Sequence, residues 1–422
     1  MEDRWDKTTL ADVINIKHGF AFQGEFFYDE PRGDILLTPG NFAIGGGFKG
    51  DKLKYYDGPT PSEFVLQEGD LLVTMTDLSK SADTLGYPAF VPSRADSRRY
   101  LHNQRLGKVI IKDPNCIDIH YLYYIMCTQE YRHEVLASAT GTTVKHTSPE
   151  RIKRFQFLRP SLPEQRAIAQ ILGTLDDKIE LNRRMNETLE TMAQALFKSW
   201  FVDFDPVHAK DEGRETCLPK RLADLFPDHF EDSEMGEIPA GWGIRSVGDI
   251  INRLPVGKKY EQKTVNQTGK VPVLDQGKTG VIGYHDDEPG IIASEEHPIA
   301  IFANHTCYMR LIHFPFSAIQ NVLPFIGKGV DTIWVFYATY GKQPFTEYKG
   351  HWPDFVIHNV VVPTPELMTE FSNLVHPVLR MTWTKENESI ILAALRNTML
   401  PKLISGELRI KDAERFIYEV SP

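Results

Sequence analysis

Gly277-Lys278-Thr279 has the form of the end of a phosphate loop, in which backbone N–H groups cradle phosphates and the lysine neutralises them. The glycine required five residues earlier is Pro272, and no strand–loop–helix context follows. His133-Glu134 could open a zinc-protease helix but lacks the second histidine that would complete the ligand pair. Pro353-Asp354 has no downstream acidic-x-Lys partner of a nuclease set. There is no Asp/Asn-Pro-Pro-Tyr run and no Phe-x-Gly-x-Gly run, so adenine methyl transfer is not expected within this chain. Gly45-Gly46-Gly47-Phe48 reads as a flexible loop. His146, His305 and His351 stand at no ligand spacing and are expected to make polar contacts, so no metal site is expected. Cys116, Cys127, Cys217 and Cys307 are scattered, which disfavours a structural zinc site or a disulfide framework and fits a reducing cytoplasm. What remains is binding chemistry, carried by polar and basic side chains on loops.

Those loops need a scaffold. Residues 1–159 read as a mixed α/β domain with short strands at Ile35-Leu36-Leu37, Phe64-Val65-Leu66, Leu71-Leu72-Val73 and Val109-Ile110-Ile111. One helix is expected from Asp118 to about Ala137. Between these elements lie Thr76-Asp77-Leu78-Ser79-Lys80 and Thr140-Gly141-Thr142-Thr143.

Residues 160–203 then predict one long helix. Ser161 and Glu164 have capping-box spacing. As a heptad, Ile168, Leu175, Asn182, Leu189 and Leu196 fall at a, and Ile171, Lys178, Met185, Met192 and Ser199 at d, a seam meant for another helix. The same pattern returns 203 residues later, in residues 363–407, where Thr364 suits the N-cap and Pro365 the first helical position. Its a positions are Phe371, Val378, Lys385, Leu392 and Met399; its d positions are Leu374, Met381, Glu388, Leu395 and Lys402. Each seam has a polar residue at its central a position, Asn182 and Lys385, suited to fixing the register of a helix pair.

The repetition extends to the domains. In residues 241–362, Trp242, Val247, Asp249 and Ile250 repeat the spacing of Trp5, Leu10, Asp12 and Val13. Gln320-Asn321 precedes an apolar strand as Asn103-Gln104 does, and Asp331 with Trp334 and Tyr337 matches Asp118 with Tyr121 and Tyr124. The expected fold is a mixed α+β duplication: domain, long helix, domain, long helix, with the helices antiparallel and a tail over 408–422 returning toward the first domain. A helix of roughly 38 residues at ~1.5 Å each is about 55 Å long, a natural spacer between two readers. The connector, 204–240, is acidic: residues 203–237 hold 11 acidic and 4 basic side chains, a net of −7 out of −10 for all 422 residues. It is rich enough in Leu, Phe and Pro to be ordered against its neighbours. The flanking regions are close to neutral, so net charge does not decide for or against nucleic acid. No run approaches 18 apolar residues, and no membrane span is expected.

Three runs carry a family resemblance: Pro160-Ser161-Leu162-Pro163-Glu164-Gln165-Arg166-Ala167-Ile168, Leu175-Asp176-Asp177-Lys178-Ile179 and Leu196-Phe197-Lys198-Ser199-Trp200-Phe201-Val202-Asp203-Phe204. Together they resemble the first central spacer of the specificity subunits of type I restriction-modification systems. Leu400-Pro401-Lys402-Leu403-Ile404-Ser405-Gly406-Glu407-Leu408 resembles the closing spacer. Gly19-Phe20-Ala21-Phe22, Glu68-Gly69-Asp70-Leu71-Leu72 and Gly141-Thr142-Thr143 are of the type found in that family's target-recognition domains; the second domain departs, with Gly350-His351-Trp352 where Gly-Thr-Thr is expected. The resemblance implies a non-catalytic, cytoplasmic reader of double-stranded DNA, each domain taking one half of a split target. It also implies two modification (methyltransferase) subunits that bring S-adenosylmethionine, and a separate motor-nuclease restriction subunit. No cofactor is expected in this chain.

Arg or Lys suits guanine, Asn or Gln suits adenine, and Thr can touch a thymine methyl group. In the first domain the DNA-contact candidates are Gln23, Asn41, Thr76, Ser79, Lys80, Thr142, Thr143, Lys145 and His146. In the second they are Lys258, Lys259, Tyr260, Gln276, Lys278, Thr279, His305, Tyr348 and His351. Two other classes fit parts of the pattern: a coiled-coil assembly scaffold without DNA recognition, and the reading portion of a single-chain restriction-methylation enzyme. The second would carry fused catalytic motifs, which this sequence lacks.

Overall fold

The computed structural model describes residues 5–413 except Lys80, Ala95, Thr143, Lys278 and Thr279. The chain divides into two compact units, Met1–Glu180 with Glu388–Pro422, and Leu181–Asn387, so each unit holds half of each long helix.

The first unit opens with strand Asp6–Thr9, paired antiparallel to Gln156–Arg159. A capping box follows, in which the Thr9 N–H donates to Asp12 at 2.8 Å and the Asp12 N–H to the Thr9 hydroxyl at 3.3 Å. A four-stranded sheet runs in the order Ile14–His18, Leu106–Ile111, Leu71–Thr74, Pro88–Phe90, all antiparallel. A second sheet pairs Asp34–Leu37 in parallel with Tyr100–His102. Leu71, Val73 and Val109 are buried against the helix Ile119–Cys127, whose N-cap Asp118 accepts from the N–H groups of His120 and Tyr121, each at 3.0 Å.

The single helix expected over 118–137 is two helices, Ile119–Cys127 and Gln129–Ala137. Thr128 separates them: its backbone is extended (φ −69°, ψ 152°), and its hydroxyl caps the second helix by accepting from the Tyr131 N–H at 3.3 Å.

The second unit repeats this plan. Gly243–Ser246 pairs with Asn359–Val362, and Ser246 caps through the Asp249 N–H at 3.3 Å. The four-stranded sheet runs Ile251–Arg253, Val322–Gly327, Ile299–Ala303, Met309–Ile312, and Val271–Leu274 lies parallel to Ser317–Ala318. Asp331 caps Thr332–Thr339 as Asp118 caps its counterpart. The duplication read from the sequence is therefore present in the terminal strand pair, the four-stranded sheet, the parallel pair and the capped helix, while the second sheet has five strands in the first unit and three in the second. The acidic connector forms the helix Asp205–Asp211 and a hairpin, Phe230–Ser233 with Gly236–Pro239; its Val207 and Phe226 are buried in this unit's core.

The long helices run Leu162–Phe201 and Pro365–Ser405. The second starts as expected, with the Leu367 N–H donating to the Thr364 hydroxyl at 3.4 Å. The first does not use the Ser161–Glu164 box. Glu164 instead accepts from the Trp5 indole at 3.1 Å and lies 3.4 Å from Arg409. Gln165, fully buried, anchors the turn: its side chain accepts from the Asp118 N–H at 2.9 Å and donates to the carbonyls of Pro160 at 2.9 Å and Cys116 at 3.2 Å.

In the first unit Ile168, Leu172 and Leu175 share a core with Leu392, Leu395, Met399 and Leu403, and ion pairs join Asp176 to Arg396 at 2.5 Å and Lys178 to Glu388 at 3.4 Å. In the second, Ala193, Phe197 and Trp200 share a core with Phe371, Val375, Leu379 and Trp383, and Asn186 donates to the Thr382 carbonyl at 3.3 Å. Within each unit, partners on one helix descend in number as those on the other ascend, so the segments are antiparallel. The heptad seam is not kept in the second unit, where the d residues Met192, Met381 and Leu374 are exposed at 58%, 49% and 44%. The buried residues Phe371, Val375, Leu379 and Trp383 recur every four, because this segment also buries a face against the domain, including Trp334 and Tyr337.

His102 is buried beside the Leu106 carbonyl, 2.9 Å from its Nε2, and burial pushes its pKa down to about 4. His313, stacked on Trp383 at 4.4 Å, is lowered to about 4 by the same cause. An unfolded imidazole titrates near ~6.5, so between that pH and about 4 the unfolded chain binds protons that the folded chain refuses. Stability from each neutral histidine is complete above pH 6.5 and is lost as pH falls. At pH 5 the loss is about 2 kcal/mol for His102. Urea midpoints at pH 7 and pH 5 test this: the wild type should drop, and His102→Gln should drop less.

Candidate nucleic-acid interface

In the first unit, two of the polar loops singled out in the sequence are brought together. Lys145–His146 pairs antiparallel with Thr76–Asp77, setting Lys145 opposite Asp77 and His146 opposite Thr76. The Thr76 hydroxyl lies 3.1 Å from His146 Nδ1. The hairpin closes by reciprocal backbone bonds between Thr140 and His146 at 2.9 and 2.8 Å. Gly141 turns it at φ +98°, and a Cβ there would stand 2.0 Å from the Val144 carbonyl oxygen, so the position requires glycine.

The facing loop is wound around Asp77. Its buried carboxylate accepts from the Ser79 N–H at 2.6 Å and from the Thr84 N–H and hydroxyl at 2.5 and 2.7 Å. Burial alone would raise its pKa, but these bonds outweigh it and hold the group below the usual carboxylate value. Ser79 accepts from the Asp83 N–H at 2.8 Å. Beneath the loop, buried Arg132 donates to the Ala82 carbonyl and lies over the Tyr87 ring at 4.6 Å.

On this pair of loops Thr142 and His146 are exposed, and Lys145, the neighbour of His146 along the strand, is half-buried on the opposite face of the ribbon. Two arginines that sequence reasoning missed join them. Arg105 accepts the Met75 N–H on its carbonyl at 2.9 Å and is exposed; Arg151 donates to the Thr140 hydroxyl at 3.1 Å. Among the described residues, Arg105, Lys145 and Arg151 have no acidic partner. The signal for Arg105 was its place directly after Asn103-Gln104; nothing local marked Arg151.

Other candidates stand elsewhere. Asn41 is 1% exposed, and its amide is engaged by the Thr38 N–H at 2.9 Å and the carbonyls of Lys49 and Lys52 at 3.2 and 3.0 Å, which makes it a brace for its own loop. Gln23 is exposed ahead of the turn Gly24–Phe26, with no bond to the hairpin. Lys80 and Thr143 lie outside the described residues.

The second unit assembles the corresponding loops. Gln276 accepts from the His305 N–H at 2.8 Å through its side chain, and from the Thr306 hydroxyl at 2.7 Å through its carbonyl. The His305 ring stacks on Tyr348 at 4.9 Å, and Tyr348 is 82% exposed. Asn304 accepts from the N–H groups of Trp352 at 2.9 Å and His351 at 2.8 Å. The latter bond matches Thr147 N–H to the Met75 carbonyl, at 3.0 Å, in the first unit. Gly350-His351-Trp352 thus occupies the place of the first unit's hairpin exit. His351 itself is fully buried, with Nε2 2.9 Å from the Glu347 carbonyl, and shapes the loop from inside. Tyr260 is 4% exposed, stacked on His285 at 4.3 Å, and Lys258 is paired with Asp287 at 2.6 Å. Lys259 is exposed; Lys278 and Thr279 lie outside the described residues. On the long helices, Asn182 is fully buried and Lys385 partly so.

Residues 2–191 match the family described as type I restriction modification DNA specificity domain. The chain is 23% identical to the type I restriction enzyme HindI specificity subunit of Haemophilus influenzae, over 96% of this chain and 99% of that one. It is also 23% identical to the MjaIX specificity subunit of Methanocaldococcus jannaschii, over 82% and 79%. The crystal structure of a type I S subunit from M. genitalium shares the fold, at TM-score 0.53 and 17% identity over 96% of each chain. The first part of the chain is thus similar to the type I restriction modification DNA specificity domain, and nearly its whole length is similar to type I specificity subunits.

Proposed function

We propose that this chain is the DNA-reading, non-catalytic subunit of a type I restriction-modification complex, with one domain for each half of a split target. The observation that carries the reading is the duplicated convergence of loops: the hairpin 140–146 on Thr76–Asp77 in one unit, and the Gln276, His305 and Tyr348 loops in the other. In the first, Arg105, Lys145 and Arg151 lack acidic partners among the described residues, and cations of that kind answer phosphate oxygens, while Thr142 and His146 can reach base edges. The modest charge of the domains is consistent with partner subunits supplying much of the phosphate neutralisation that dominates affinity.

The long helices would set the unread spacing and dock two modification subunits, which would bind S-adenosylmethionine and transfer the methyl group; a motor-nuclease subunit would cut unmodified DNA. Exposed apolar side chains on the helices, Met192, Leu374 and Met381 among them, support docking of a protein there.

The test is binding of the chain, assembled with its modification partner, to DNA over a salt series. Arg105→Ala with Lys145→Ala should weaken binding to specific and unrelated duplexes about equally and lower the salt slope by roughly 1 per lost phosphate contact. An unchanged slope would remove these side chains from the interface. No difference between a methylated-target duplex and random DNA for the wild type would favour a scaffold without DNA recognition.

A further inference from the structure

In the second unit, an open pocket of about 350 Å³ adjoins the Gln276–His305 contact. Its walls include Tyr260, Glu261, Asp275, Gln276, Gln320 and Asn321. Four carboxamides and two carboxylates line it, and one of the amides, Gln262, is tied to the Ile282 carbonyl at 3.3 Å.

The state of the amides is informative. Gln276 has its oxygen occupied by the His305 N–H, which leaves its NH₂ as a donor held in a set direction. Among the described residues, the side chains of Gln320 and Asn321 make no hydrogen bond. The backbone of Asn321 is pinned, its carbonyl accepting from the Asn304 N–H at 2.8 Å. The duplication supplies a control. In the first unit, the loops following the two strands of the parallel pair carry Asn41 and Asn103. Both are buried, at 1% and 8% exposure: Asn41 engages three backbone groups, and the Asn103 oxygen accepts from the Arg105 N–H at 2.9 Å. Asn41 and Asn103 are buried within their own loops, whereas Gln320 is exposed and Asn321 half-buried at the pocket wall.

Charge selects the occupant. Asp275, steadied by the Gly277 N–H at 2.9 Å, and Glu261 would repel a phosphate. They favour a group rich in N–H, and in the major groove the exocyclic amines belong to adenine and cytosine. A carboxamide discriminates between them, because its paired donor and acceptor match adenine N7 and N6, whereas cytosine offers only the amine.

We propose that this pocket reads the major-groove edge of an adenine in the half-site taken by the second domain. Asn321 makes the paired contact, and the Gln276 NH₂ and Asp275 flank it. The proposal rests on the DNA-reading function above.

The test uses the chain assembled with its modification partner. The wild-type target is first read from methylated genomic DNA, and binding is then measured by competition against duplexes substituted at every half-site position. Asn321→Ala should reduce discrimination about tenfold or more at one adenine of one half-site, leaving all other positions as they were. Asn321→Asp keeps the size but loses the donor, and should shift preference at that position toward cytosine. Retained discrimination in both variants, or a loss spread evenly over both half-sites, overturns the adenine pocket while sequence-dependent binding by the wild type leaves the DNA-reading function standing. Absence of any sequence preference in the wild type overturns that function and the pocket with it.

Discussion

Replacing Gly141 by valine should abolish reading of one half of the target while leaving the protein folded. The residue lies at φ +98°, where a β-branched side chain is strained, and its Cβ would meet the Val144 carbonyl oxygen at 2.0 Å. The hairpin must then open, and with it the reciprocal Thr140–His146 bonds and the pairing of Lys145–His146 with Thr76–Asp77. Exposed Thr142 and His146 add little to the core, so the melting temperature should move by no more than a few degrees. Sequence-specific binding should fall about 100-fold or more, since several contacts worth ~1–3 kcal/mol each are displaced together. Binding within tenfold of the wild type would mean that this hairpin does not read DNA.

The largest effect on stability is expected at Phe371. It is fully buried and meets Phe197, Phe201 and Tyr337 with ring centroids 5.3 to 5.8 Å apart, so it joins both long helices to the second domain's aromatic helix. Truncation to alanine should cost about 3–5 kcal/mol, from lost transfer energy and the cavity left behind. Five of the six tryptophans lie in this unit, and only Trp5 in the other, so fluorescence in a urea series reports chiefly on the second unit. Phe371→Ala should shift that transition to lower urea, whereas a shift worth under ~1 kcal/mol would show that the site collapses around the loss.

Much of the scaffold was legible because it is written in local, periodic signals. The long helices run where the apolar pattern places them, Thr364 starts the second, and Asp118 and Asp331, matched in the repeat, stand at the same place in corresponding helices. The errors arise where a distant residue competes for a local one. The Ser161–Glu164 box loses its carboxylate to Trp5 and Arg409, partners far away in sequence. Heptad arithmetic fails in the second unit, where Phe371, Val375, Leu379 and Trp383, spaced by four, turn toward the domain and leave Met192, Leu374 and Met381 exposed.

The candidate interface was legible as loops and less so as individual side chains. Asn41 and His351 have the right chemistry for a base edge, yet both are buried, and sequence carries no local mark of whether an amide or imidazole turns inward. Arg105 and Arg151 were missed for the converse reason. Whether an arginine has an acidic partner depends on which strands and loops meet it, and here the hairpin brings neither one.

The most direct test is the methylated sequence itself. Sequencing the methylation pattern of a host carrying this chain and its modification partner should give one target in two parts, separated by a run of unspecified bases of constant length. A single uninterrupted motif, or methylation with no sequence dependence on this chain, would contradict the account.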